Sequence, residues 1–140
     1  MTSTFERRKL EIFFAMLTTG FGAWLLFPAQ AMDAPAFTHV RGMADELAWG
    51  GLFLSNGMMH CTWLAVNGAR WWSAPVRFGA AFGSGSLYLI WAVSIAAYDA
   101  TSTGVFTYSG LSVGAWACCV FAWRDALTAM RMHRAIADHP

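Results

Sequence analysis

An all-α membrane fold with four transmembrane helices is predicted by three features of the sequence: its composition, four long runs without charge, and a one-sided distribution of basic residues. Of 140 residues, 57% are hydrophobic and only 12% charged. Soluble domains usually carry about 25% charged residues. A chain of this size with so few charges cannot clothe itself for water. Eight Trp and eleven Phe agree, because aromatic rings favour membrane cores and interfaces. The formal net charge of +1 gives no attraction for nucleic acid or an acidic polymer.

The four runs define the expected spans. The first is Ile12 to Phe27, uncharged, extended through Pro28 to Met32. About 20 apolar residues are needed to cross a bilayer, so this run qualifies only with its flanks. Its basic start and the Ala29-Gln30-Ala31 triplet also fit a cleavable signal peptide. Asp33 to Glu46 reads as a polar connection. The second span is Leu47 to Val66. Asn67 to Arg77 reads as a basic turn, punctuated by Asn67-Gly68 and Pro75. The third span covers 78–98, Asp99 to Gly104 is a tight turn, and the fourth span covers 105–123. The tail 124–140 is expected to continue as a helix along the interface, with Arg124, Arg131 and Arg134 on one side and Ala126, Ala129 and Met130 opposite. The chain is expected to form one domain.

Eight of the nine Lys and Arg residues lie at one set of span ends: three before the first span, Arg70 and Arg77 in the second connection, and three in the tail. Arg41 alone lies at the other set. By the positive-inside rule both termini are cytoplasmic, in an antiparallel up-down bundle. Trp71, Trp72 and Trp123 are then expected at the inner interface, Trp24 and Trp49 at the outer one.

The second span carries polar groups that hydrocarbon does not tolerate alone: Ser55, Asn56, His60 and Thr62. Asn56 and His60 are four residues apart and share a helix face. Ser84, Tyr88, Ser94, Tyr108, Ser112, Thr18 and Thr19 are candidate partners, though Ser and Thr can also bond their own helix backbone. Helices in lipid pack where small residues let backbones approach. Gly79/Gly83 and Gly110/Gly114 are GxxxG matches, and Gly51 and Ser55 have the same spacing. They are expected to serve packing within the bundle or an interface between copies.

An ionisable residue inside a membrane is a functional-site candidate by default, so His60 is the first. It can be a hydrogen-bonded structural residue, a proton relay, a haem ligand or a metal ligand. A b-type haem needs a second axial ligand, and no other span carries a His; Met16, Met58 or a symmetry mate would have to serve. Met58, His60, Cys61 and Cys118 are candidate soft-metal ligands, since thioether, imidazole and thiolate suit copper or zinc. Cys118 and Cys119 point about 100° apart on a helix, which weakens the set. The three cysteines are otherwise read as free thiols in apolar runs. Glu11, Glu46 and Asp99 sit at span ends, within reach of headgroups or water. Phosphate-binding loops, nucleophile elbows and paired carboxylates do not occur, so no enzyme activity and no cofactor is expected.

The order of features resembles small tetraspan membrane proteins of tailed phages and prophages of Gram-negative bacteria. The residues that carry the resemblance are Gly22-Ala23-Trp24-Leu25-Leu26 with Pro28, Glu46 with Trp49-Gly50, Asn67-Gly68 with Arg70, Trp91, Ser102-Thr103-Gly104-Val105 with Thr107-Tyr108, and Trp116 before Arg124. Members of that group mostly lack an assigned role, and some carry a holin label. The resemblance implies a bacterial inner-membrane protein that acts by assembling in the bilayer. An accessory subunit of a respiratory or photosynthetic complex, and a haem or metal redox protein built on His60, are the competing expectations. The expected partners are lipid and either copies of the chain or a larger membrane complex.

Overall fold

The computed structural model describes residues 4–27, 31–66 and 72–137. The expectations placed on Pro28, Ala29 and Gln30, on Asn67, Gly68, Arg70 and Trp71, and on the side chains of Ala129, His133, Arg134 and His139 lie outside the described residues. All regular structure among the described residues is helical: α1 (Thr4–Leu26), a 3-10 turn (Pro35–Phe37), α2 (Thr38–Met43), α3 (Glu46–Ala65), α4 (Ser73–Tyr98) and α5 (Thr103–Ala137). Three of these are long and apolar enough to cross a membrane, α1 over Arg8–Leu26, α4 over Ser73–Tyr98 and α5 over Thr103–Thr128. The 20-residue α3 is not among them. Asn56 and His60 lower its mean hydropathy, a measure that counts an inward polar group as though it faced lipid.

The four long helices pack side by side. Gly57 of α3 meets Thr19 of α1 and Gly50 meets Leu26, so residue numbers rise along one helix as they fall along the other. The same holds for α3 and α4, where Asn56 bonds Ala80 while Trp49 stacks on Trp91. It holds again for α4 and α5, where Ser112 bonds Gly85 and Arg77 bonds Asp125. The tightest seam is α1 on α3. A Cβ at Gly22 would enter the backbone of Leu54, and one at Gly57 the backbone of Thr19. Only glycine permits these two approaches, because the neighbouring main chain cannot yield.

The two ends of the bundle are filled differently. At the end holding the α3 N-terminus, large rings interlock: Phe21, Phe53, Tyr88, Trp91 and Tyr108 lie with centroids 4.9–6.3 Å apart. Most pairs are edge-on or tilted, as ring quadrupoles favour. The segment 31–45 folds over this cluster instead of forming a polar connection. It buries Met32 and Val40, sets Phe37 on Trp91, and receives a hydrogen bond from Trp49 Nε1 to the Val40 carbonyl at 3.0 Å. Trp49 is therefore a buried core residue and not part of an interfacial belt, whereas Trp24 and Trp123 are exposed. Asp45 caps α3 by accepting from Ala48 N, and Glu46 accepts from Ala31 N.

The opposite end is built from small residues, with Ala15, Ala80, Ala81, Ala115, Cys118, Ala122 and Ala126 buried. Here α4 begins at Ser73, five residues before the expected start. Pro75 falls in its first turn, where a missing N–H breaks no helical bond and the fixed φ suits the helix. Arg77 thus belongs to the helix and not to a turn. Beyond Arg124 the helix α5 runs on unbroken to Ala137.

Gly57→Leu should force α1 and α3 apart at a cost of about 1–3 kcal/mol or more. Thermal melts in detergent should show a clear drop in Tm. Gly20→Leu, at a position with nothing within 4 Å of an added Cβ, should melt like the parent chain.

Candidate functional site

The small-residue end of the bundle surrounds an ionic triad. Arg77 on α4 and Glu11 on α1 are each 1% exposed. Arg77 Nη1 donates to Glu11 Oε2 at 3.0 Å, and Nη2 donates to Asp125 Oδ2 on α5 at 2.8 Å. The Asp125 side chain is 36% exposed, so the triad reaches the surface on one side only. Three helices are joined through one guanidinium. Buried alanines and cysteines surround it, and in such apolar surroundings unpaired charge is costly. Glu11 is consequently not an interfacial carboxylate at a span end, and Asp125 is not part of a solvated tail.

His60 belongs to the same region. It is 0% exposed, and neither ring nitrogen has a hydrogen-bond partner among the described residues. The Arg77 guanidinium lies close enough to act on the ring electrostatically. Nε of Arg77 is likewise without a partner among the described residues. Most buried polar atoms in proteins are paired; of the described residues, Trp91 and Trp116 also carry an unpaired indole nitrogen, but only here do unpaired nitrogens sit with an ionic triad.

One turn further in, Asn56 anchors a neutral relay. Its Nδ2 donates to the Ala80 carbonyl at 3.0 Å and to Ser84 Oγ at 2.8 Å. Thr18 Oγ1 donates to Ser84 Oγ at 3.3 Å and lies 3.4 Å from the Tyr88 hydroxyl. Helices α1, α3 and α4 are thereby linked through four side chains. Ser112 donates to the Gly85 carbonyl, tying α5 to α4. Ser55 and Thr62 face outward and satisfy themselves on the carbonyls of Leu52 and Met58. Ser94 lies against the Met43 sulfur, and Thr19 bonds Ala15 and touches Cys61.

The candidate metal ligands do not converge. Met58 is exposed, Cys61 lies against Thr19, and Cys118 is buried on α5 beside Glu11. Among the described residues, no three His, Cys, Asp or Glu side chains are grouped as a metal would require. The glycines also divide. Gly83 faces the Asn56 side chain and Gly114 faces the Phe14 ring, but Gly51, Gly79 and Gly110 have nothing within 4 Å of an added Cβ. One glycine of each GxxxG pair, Gly83 and Gly114, therefore meets another helix of the chain, and the other, Gly79 and Gly110, does not. The approaches of backbone to backbone are at Gly22 and Gly57, which no such motif contains. At the far end, exposed Asp99 accepts from the Thr101 hydroxyl and N–H, which holds its carboxyl below the usual range.

The triad escaped the sequence reading although a signal existed. Glu11, Arg77 and Asp125 each stand within a turn of the end of an apolar run, at one depth once neighbouring helices run in opposite directions.

Arg77→Leu should destabilise the fold by about 3–5 kcal/mol, because it strands the buried Glu11 carboxylate. Replacing Glu11, Arg77 and Asp125 together by Leu, Met and Leu should restore most of that loss. Unfolding titrations in mixed micelles check both. Asn56→Leu should cost only about 0.6 kcal/mol, the average for an interhelical hydrogen bond in membranes. No protein-family model matches the chain, and neither a curated protein nor a solved structure matches it.

Proposed function

We propose that the chain is an integral protein of a bacterial inner membrane, crossed by α1, α3, α4 and α5 as an up-down bundle with both termini in the cytoplasm, and that it acts by assembling there with copies of itself, in the manner of a holin-like phage protein. The observation that carries this reading is the division of the side chains. Large apolar residues are exposed on every long helix: Phe13 and Met16, Leu52 and Met58, Phe82 and Val93, Phe106 and Val120. Phe106 is 86% exposed. In water such a surface would drive aggregation; in lipid it is what a span presents. Asn56 and His60 point inward, which supports α3 as a fourth span despite its low mean hydropathy.

Orientation rests on charge. With Arg77 absorbed into the triad, seven basic residues remain at one set of helix ends and Arg41 at the other. That asymmetry still favours cytoplasmic termini. Assembly is supported by Gly51 beside outward Ser55, by Gly79 and by Gly110. These small residues make no use of their smallness inside the chain, and small faces are what helices in lipid use to approach one another. No catalysis and no resident cofactor enter this reading.

An accessory subunit of a larger complex would use the same outward faces, covered by other proteins in place of copies. A redox role for His60 has its unpaired nitrogens in favour and the scatter of Met58, Cys61 and Cys118 against. Native mass measurement of chain extracted in mild detergent separates the first two. A homo-oligomer that weakens in Gly79→Leu and Gly110→Leu, together with loss of membrane potential on high-level expression in a bacterium, is expected. A monomer whose accumulation leaves growth and potential intact contradicts the proposal, and stable co-purification with other subunits favours the accessory role.

A further inference from the structure

The geometry points to a proton-binding site formed by Glu11, Arg77, Asp125 and His60, in which Glu11 carries the proton and Asp125 connects it to solvent. Two carboxylates share one guanidinium, at 3.0 and 2.8 Å. The triad as drawn by formal charge is −1, and its inner members are almost wholly buried. Burial disfavours the charged form of a carboxylate, and two carboxylates on one guanidinium repel each other, so one of them accommodates a proton. The chemistry is one bond: the Glu11 carboxylate takes H⁺ from solvent and becomes a carboxylic acid, with no electron transferred.

Position assigns the roles. Glu11 is the buried carboxylate and gains most from neutralisation. Asp125 is the part-exposed one, and through its contact with Arg77 it offers a route inward. The charged groups that act on Glu11 are Arg77 from α4, Asp125 from α5 and Arg8 from its own helix, and the thiols of Cys118 and Cys119 on α5 lie within its field. From α3, His60 lies within electrostatic reach of Arg77. Independent of the charge count, both nitrogens of His60 and Nε of Arg77 lack partners among the described residues. These three buried nitrogens are unspent hydrogen-bonding capacity on the groups next to the carboxylates. The site lies at the end of the bundle where α1 and α4 start. That end is cytoplasmic in the orientation proposed above, but proton binding does not depend on that orientation.

Infrared spectroscopy of the full chain in lipid nanodiscs, titrated with acid and base in light and heavy water, tests this directly. The parent chain should show one protonated-carboxyl band that shifts in heavy water and fades as pH rises. Glu11→Gln should abolish it. Asp125→Asn leaves Glu11 paired one-to-one with Arg77, removes the surplus charge, and should lower the proton affinity about tenfold or more, a midpoint shift of one pH unit downward. Asp99→Asn, at the far end, should change nothing. A band that survives in Glu11→Gln, an unmoved midpoint in Asp125→Asn, or no protonated-carboxyl band in the parent chain overturns the proposal. Should Glu11→Gln fail to fold, the Asp125→Asn midpoint decides, because that variant retains the buried pair.

Discussion

The guanidinium of Arg77 is the constraint around which the remainder of this structure arranges itself. It sits inside the bundle, and each of its two terminal nitrogens holds a carboxylate from a different helix. Burying a charge this deeply is tolerable only with partners in place, so α1, α4 and α5 must meet at one depth and in one rotation. The local composition follows. Ala80 and Ala81 on α4 and Ala115, Cys118, Ala122 and Ala126 on α5 are all buried, because larger side chains would keep the backbones too far apart for the ion pairs to form. A buried ion pair is a weak source of net stability, and here it acts as a register device. Sliding α1 by one turn would separate Glu11 from Arg77 and leave both stranded.

Two further features fix what the triad does not. Helix α3 has no part in the ion pairs. It is held by close backbone approach to α1 at Gly22 and Gly57, and by the relay from Asn56 through Ser84 to Thr18 and Tyr88. Each hydrogen bond in that relay is worth little alone, but its members come from three helices and share partners. At the other end, the interlocked rings and the folded-over segment 31–45 close the bundle. A rigid aromatic end and a charged, small-residue end leave the molecule chemically polar along its length. Among the described residues, the second end is where a buried ionic cluster reaches the surface, through Asp125.

Much of this was readable in the sequence where periodicity and chemistry agreed. Asn56 is inward because it lies in an uncharged run that must satisfy it, and Ser84 and Thr18 were among the few groups able to do so. The uncharged runs located the four long helices, but α1 starts at Thr4 and ends at Leu26 where a span over 12–32 is expected, and α4 starts five residues early. Failure came where one residue type has two structural meanings. Pro75 was read as punctuation, yet proline is at home in the first turn of a helix, and this hid Arg77. Asp125 follows Arg124 and looked like the start of a solvated tail. Spacing of glycines marked Gly79 and Gly110, but contact depends on which face meets the neighbour, and the sequence does not carry that rotation. Val40 and Met32 were lost in a stretch that averaged as polar.

The central claim is that Arg77 is a buried three-helix junction and not an interfacial cation. Solid-state NMR distance measurement between the guanidinium nitrogens of Arg77 and the side-chain carboxyls of Glu11 and Asp125, on selectively labelled chain in lipid, addresses it most directly. Strong dipolar coupling to both carboxyls, matching contacts of 3.0 and 2.8 Å, is the predicted result. Coupling to neither, with the guanidinium instead close to lipid phosphorus, would contradict it.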